Sequence, residues 1–119
     1  MKLEKLLVYK LAMEIGEKVW HLVENWNYFP RSTIGKQIVN SADSIAANIS
    51  EGYGRFHYKE NKQFLYYARG SLSETKTWIT KAANRNLIEE ELSKSIIEKI
   101  DFLSVKLNNY LKSIGKTNQ

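Results

Sequence analysis

The chain has 119 residues, 43% of them hydrophobic and 26% charged, which is the make-up of one soluble globular domain with a modest core. It lacks cysteine, so disulfides and thiolate metal sites are excluded, and no apolar run approaches the roughly 18 residues of a membrane span. The net charge of +5 lies wholly in residues 55–85, where seven basic side chains face two acidic ones, while the other eleven bases and eleven acids cancel.

The first ten residues carry charge in every turn and do not read as a signal peptide, so a cytoplasmic protein with no membrane partner is the expectation. One proline and six glycines leave little punctuation, which favours long helices. The first helix is expected from about Leu3 to Trp26, with Leu7, Leu11, Ile15, Val19, Leu22 and Trp26 at helical spacing. Pro30 should break the chain, and Ser32 or Thr33 should cap the next helix by accepting free amide hydrogens. The second helix covers about Thr33 to Glu51, with Ile34, Ile38, Ala42, Ile45 and Ile49 on one face. Gly52 and Gly54 suit the left-handed backbone that ends helices.

A third helix runs from about Lys59 to Ala83, with Phe64, Ala68, Ser71, Leu72, Thr75, Trp78, Ile79 and Ala82 inward, and Asn84-Arg-Asn86 marks a turn. The fourth extends from about Glu89 to Ser113, its core positions being Leu92, Ile96, Ile100, Leu103, Leu107 and Leu111. Glu89, Glu90 and Glu91 suit the positive end of its dipole, and Gly115 ends it, leaving Lys116–Gln119 expected to fray. Short links between helices of similar length imply antiparallel neighbours, so residues 1–119 should form a single all-α, up-down-up-down four-helix bundle.

Three constellations stand out on this scaffold. Asn48, Glu51, Arg55, Ser71 and Glu74 fall where a polar network could form, with Ala46, Ala47, Gly70 and Ser71 keeping the two helices thin. Arg55 is expected to bridge Glu51 and Glu74; the competing reading is a ligand or catalytic site. Catalysis has little support, since only His21 and His57 exist and neither has a triad's surroundings. Metal-binding pairs of the di-iron type and phosphate-loop glycine patterns are also absent, and no cofactor is expected.

On the third helix Lys62, Arg69 and Lys76 recur every seven residues, with Lys59, Tyr66 and Ser73 beside them and Arg55, Lys81 and Arg85 able to extend the surface. Lys59, Lys62, Tyr66, Arg69 and Lys76 are the candidate nucleic-acid-binding set, because cations pair with phosphates and aromatic rings stack on exposed bases. A plain solvated face is the alternative. On the first helix Tyr9, Met13 and Trp20 form a second apolar face, expected to be a subunit interface or else a wide core face.

These residues resemble a bacterial family, that of the protein encoded by intervening sequences of 23S ribosomal RNA genes, whose members are often labelled ribosomal proteins. The resemblance spans Leu7-Val-Tyr-Lys10 and Ala12, Phe29-Pro30, Ile34-Gly35-x-Gln37-Ile38, Ser44-Ile-Ala-Ala-Asn-Ile-Ser-Glu-Gly52, Gly54-Arg55, Phe64, Ala68-x-Gly70-Ser71 and Glu74. Val39-Asn40 stands where relatives often carry arginines, so a basic surface is not expected on the second helix. The resemblance implies a ring-like homopentamer with nucleic-acid association, RNA or DNA. The chain is also similar to the accessory protein of diversity-generating retroelements, which implies a protein-interaction scaffold for a partner such as a reverse transcriptase as the alternative.

Overall fold

The computed structural model describes residues 2–115. Four long helices dominate: α1 (Leu7–Glu24), α2 (Lys36–Tyr53), α3 (Tyr58–Asn84) and α4 (Glu90–Ser113). They alternate in direction in a bundle of 51 × 23 × 21 Å, each packed on its neighbour in sequence, and α4 closes back on α1. The expected all-α four-helix bundle is thus the architecture, and the described residues contain no strand. Ion pairs and hydrogen bonds fix the antiparallel registers. Lys76 meets Asp101 and Arg69 meets Asn108 between α3 and α4, and Lys99 meets Glu14 between α4 and α1.

The core follows the predicted stripes most closely on α2, where Ile38, Ala42, Ile45 and Ile49 are fully buried. On α3 Ala68, Leu72, Thr75, Ile79 and Ala82 are buried as expected, and Leu65 takes the deep position assigned to Phe64. The stripe on α1 is rotated from the expected one. Val8, Ala12, Ile15, Gly16, Val19 and Val23 face inward, whereas Leu7 is 49% exposed and Leu11, Leu22 and Trp26 sit at the margin. Small residues at 12 and 16 let α1 lie close to α2, and a larger leucine stripe could not occupy that line. A Cβ at Gly16 would stand 3.0 Å from Asp43 Oδ1. On α4 Leu92 is likewise displaced to the surface, and Ser93 is buried in its place.

Three local expectations fail for identifiable reasons. The N-terminal segment does not join α1: Leu3–Lys5 is a 3-10 turn, and Leu6 is extended before α1 begins. Pro30 does not break the chain. It lies in the first helical turn, Tyr28–Pro30, where its missing N–H would be unpaired anyway. Ser32 and Thr33 are not caps, since both hydroxyls donate back to the Phe29 carbonyl, at 3.2 and 2.7 Å. A π-helical turn, Arg31–Gly35, then leads directly into α2.

Gly52 and Gly54 do not adopt left-handed conformations. Gly52 is helical, and Gly54 has φ −78°. The need at 52 is for space, because an added Cβ would lie 2.7 Å from Asn61 Oδ1, 2.9 Å from the Asn61 carbonyl oxygen and 3.1 Å from Phe64 Cβ. The left-handed positions are Asn86 (φ 61°), in the predicted α3–α4 turn, and Gly115 (φ 84°), after α4. The expected fraying of Lys116–Gln119 lies outside the described residues.

Candidate nucleic-acid interface

The basic row of α3 is present, but its members do not share one environment. Lys59 is exposed and Lys62 is half-buried. Arg69 lies 5.0 Å from the ring centroid of Tyr66 and donates to Asn108 Oδ1 at 3.3 Å. Lys76 is paired with Asp101 at 2.7 Å. The row therefore borders α4 and does not stand free opposite the core, and its Lys76 end is neutralised. Lys81 sits 5.9 Å from the centroid of the Trp78 ring. Arg85 follows α3, at the end of the bundle that also carries Glu89, Glu90 and Glu91.

The alternating topology redistributes charge in a way that counting along the chain does not show. It brings the start of α1, the α2–α3 link and the last turn of α4 to one end. Lys2, Lys5, Lys10, Arg55, Lys59, Lys62 and Lys112 gather there against Glu4, Glu51 and Glu60, an excess of four positive charges. At the opposite end Arg31, Lys36, Lys81, Arg85 and Lys94 face Glu24, Glu89, Glu90 and Glu91, an excess of one. The middle carries five cations and six carboxylates. Residues 55–85 supply only half of the excess at the Lys59–Lys62 end, through Arg55, Lys59 and Lys62 against Glu60; the other half comes from Lys2, Lys5, Lys10 and Lys112 against Glu4 and Glu51.

The link between α2 and α3 holds a residue that the sequence reading passed over. Phe56 is 92% exposed, and its ring meets that of His57 edge-on at 5.1 Å. The signal lies in Arg55-Phe-His-Tyr-Lys59, three aromatic rings flanked by cations, a pattern that helical periodicity does not mark.

Arg55 makes an ion pair with Glu51 at 3.1 Å and a longer one with Glu60 at 3.9 Å, and its guanidinium lies 4.7 Å from the Phe64 ring centroid. The proposed bridge to Glu74 is not formed. Glu74 instead accepts from Trp78 Nε1 at 3.0 Å, and the Asn48 amide donates to the Ser44 carbonyl at 2.8 Å. The five-residue network of Asn48, Glu51, Arg55, Ser71 and Glu74 therefore does not form as one unit: Arg55 pairs with Glu51 and Glu60, while Asn48, Ser71 and Glu74 are each engaged with a residue four positions away on their own helix. The buried polar seam sits one position inward. The Ser41 and Thr75 hydroxyls lie 3.0 Å apart, and Thr75 is also 2.7 Å from the Ser71 carbonyl. Gly70, expected at a close seam, has no atom within 4 Å of its would-be Cβ.

Trp20 (51%) and Met13 (45%) are exposed, and Tyr9 is half-buried against the core. They line two hollows between α1 and α2: Trp20 lies beside Val23 and Val39 in one, and Tyr9 and Met13 lie beside Gly16 and Ala46 in the other. Asp43 lines the second. Burial raises its carboxyl above the usual aspartate value, and the neighbouring Glu17 carboxylate adds to the rise. Of the two histidines, His21 has its Nδ1 2.7 Å from Glu24 Oε2, and His57 packs on Phe56. Among the described residues no three His, Cys, Asp or Glu side chains are grouped to hold a metal, and no helix is long and apolar enough to cross a membrane.

The family model described as 23S rRNA-intervening sequence protein matches residues 4–109. Among solved structures, the chain is similar to a protein of unknown function from the S23 ribosomal protein family of Bacteroides thetaiotaomicron. The two are 23% identical with a TM-score of 0.82, over 89% of this chain and 99% of the other. No curated protein matches the sequence.

Proposed function

The chain belongs to the 23S rRNA-intervening sequence protein family, and on that premise we propose that it is a non-enzymatic, homo-oligomeric bundle of the cytoplasm that binds RNA or DNA. Binding is electrostatic and centred on Lys59 and Lys62, continues along Tyr66 and Arg69, and weakens towards Lys76. The observation that carries this reading is the excess of four positive charges at one end of the bundle. Several cations on one surface displace counterions from phosphates together, which a diffuse charge does not do. Assembly would multiply the effect, since each copy of a ring contributes one such end. The exposed Met13 and Trp20, each beside a hollow between α1 and α2, support a contact between copies at that face. A ring-like pentamer is the assembly that the family resemblance suggests.

Titrating a labelled RNA or DNA strand across a salt series tests the binding reading. Log affinity should fall linearly with log salt, with a slope reporting several phosphate contacts. Replacing Lys59, Lys62 and Arg69 together by glutamine should flatten it. Affinity independent of salt, or unchanged in that variant, would end the proposal.

A further inference from the structure

Phe56 is the most exposed large apolar side chain among the described residues, and phosphate pairing gives it no role. A lone ring in solvent is unremarkable by itself. Its setting is unusual in three respects. The first is anchoring on both sides: Gly54 N donates to Ser50 O, Arg55 N donates to Gly52 O, and Asn61 N donates to His57 O. Arg55 is clamped between Glu51 and the Phe64 ring as well. The ring is thus held out on a short, hydrogen-bonded link between two helices. The second is charge, because the link belongs to the end with the positive excess, between Arg55 and Lys59. The third is continuity. Tyr66, with Arg69 stacked against it, lies about 12 Å from the start of α3 at 1.5 Å per residue, so a second ring stands further along the same basic row.

Phosphate pairing alone requires none of these rings. Paired bases in a duplex are stacked on one another, and a ring on a short link reaches them only by unstacking a step. Unpaired bases offer their faces freely, and stacking on aromatic side chains tolerates any sequence. We infer that the α2–α3 link is a stacking platform for unpaired bases, with Phe56 taking one base while Lys59 and Lys62 hold the adjoining phosphates, so that the protein prefers single-stranded nucleic acid to duplex. This rests on the nucleic-acid reading above and assigns its substrate class.

The test is fluorescence anisotropy with a labelled poly-U strand of about 16 nucleotides, alone and annealed to poly-A, with light scattering on each protein. The wild type should bind the single strand more tightly. Phe56→Ala should weaken single-strand binding at least about fivefold while leaving duplex affinity and the salt slope unchanged, and Phe56→Trp should restore it. A single-strand affinity untouched by Phe56→Ala, or duplex bound as tightly as single strand by the wild type, overturns the inference while the binding reading stands. Loss of assembly in Phe56→Ala also overturns it, assigning the ring to a subunit contact. Binding of neither probe by the wild type removes the binding reading and the inference together.

Discussion

Two glycines in neighbouring helices should respond oppositely to the same substitution. Replacing glycine by alanine within a helix stabilises it by about 1 kcal/mol if nothing opposes the methyl group. At Gly70 nothing does, because the added Cβ meets open space within 4 Å. Gly70→Ala should therefore stabilise the protomer by about 0.5–1 kcal/mol. At Gly52 the methyl would meet the Asn61 carbonyl oxygen at 2.9 Å and Phe64 Cβ at 3.1 Å. The Asn61 side-chain oxygen, at 2.7 Å, is itself buried, and the backbone of α3 cannot move without disturbing the packing around Leu65. Overpacking of this kind costs about 1–3 kcal/mol and exceeds the helix gain. Thermal unfolding followed by circular dichroism reads both, since 1 kcal/mol moves Tm by roughly 4 °C in a chain of this size. Gly52→Ala should melt lower than wild type and Gly70→Ala higher. A Gly52→Ala protein as stable as wild type would refute the claim that this glycine exists for the close approach of α2 and α3.

Three further outcomes follow from the packing. Thr75→Val removes a buried hydroxyl from its contacts with Ser41 and the Ser71 carbonyl, and should cost about 1 kcal/mol by urea unfolding; a neutral effect would show that the seam is held by the methyl groups alone. The Asp43 carboxyl, raised in the folded state, binds its proton more tightly there than in the unfolded chain. Its contribution to stability is thus best below the ordinary value of 3.8 and falls as pH rises through the raised folded value. Asp43→Asn should accordingly raise Tm of the protomer at pH near 7 and lose that advantage under acid conditions, and a lower Tm at neutral pH would place an unseen cation beside Asp43. Met13→Glu with Trp20→Glu should dissociate the oligomer without unfolding α1, read by light scattering and circular dichroism; unchanged mass, or a wild type already monomeric at micromolar concentration, would remove the α1–α2 face as the subunit contact.

The helices were legible because their apolar residues keep helical spacing and their links are short, so Ile38, Ile45 and Ile49 could be placed in the core from position alone. The rotation of α1 was not legible. Leucines mark an apolar stripe as strongly as Val8, Ala12 and Gly16 do, and only the partner helix decides which line can come close. Pro30 misled because its effect depends on its place in a helix: in a first turn it removes nothing. The Arg55–Glu74 bridge failed for a related reason. Periodicity placed both residues near one seam, but each found a partner four residues away or closer in the chain, which asks less of the side chains than reaching across to another helix. The basic site was half visible. Its residues could be named from the charge surplus, but the contribution of Lys2, Lys5, Lys10 and Lys112 required the topology that brings three separate segments to one end.

The central claim is that position, not total charge, makes the binding surface, and two double variants of equal net charge test it. Lys59→Gln with Lys62→Gln removes two charges from the positive end, and Lys81→Gln with Arg85→Gln removes two from the opposite end. Measured on one labelled single strand across a salt series, the first pair should weaken binding severalfold and reduce the magnitude of the salt slope by about 1–2, while the second stays close to wild type. Equal losses in the two variants, or none in the first, would contradict the account.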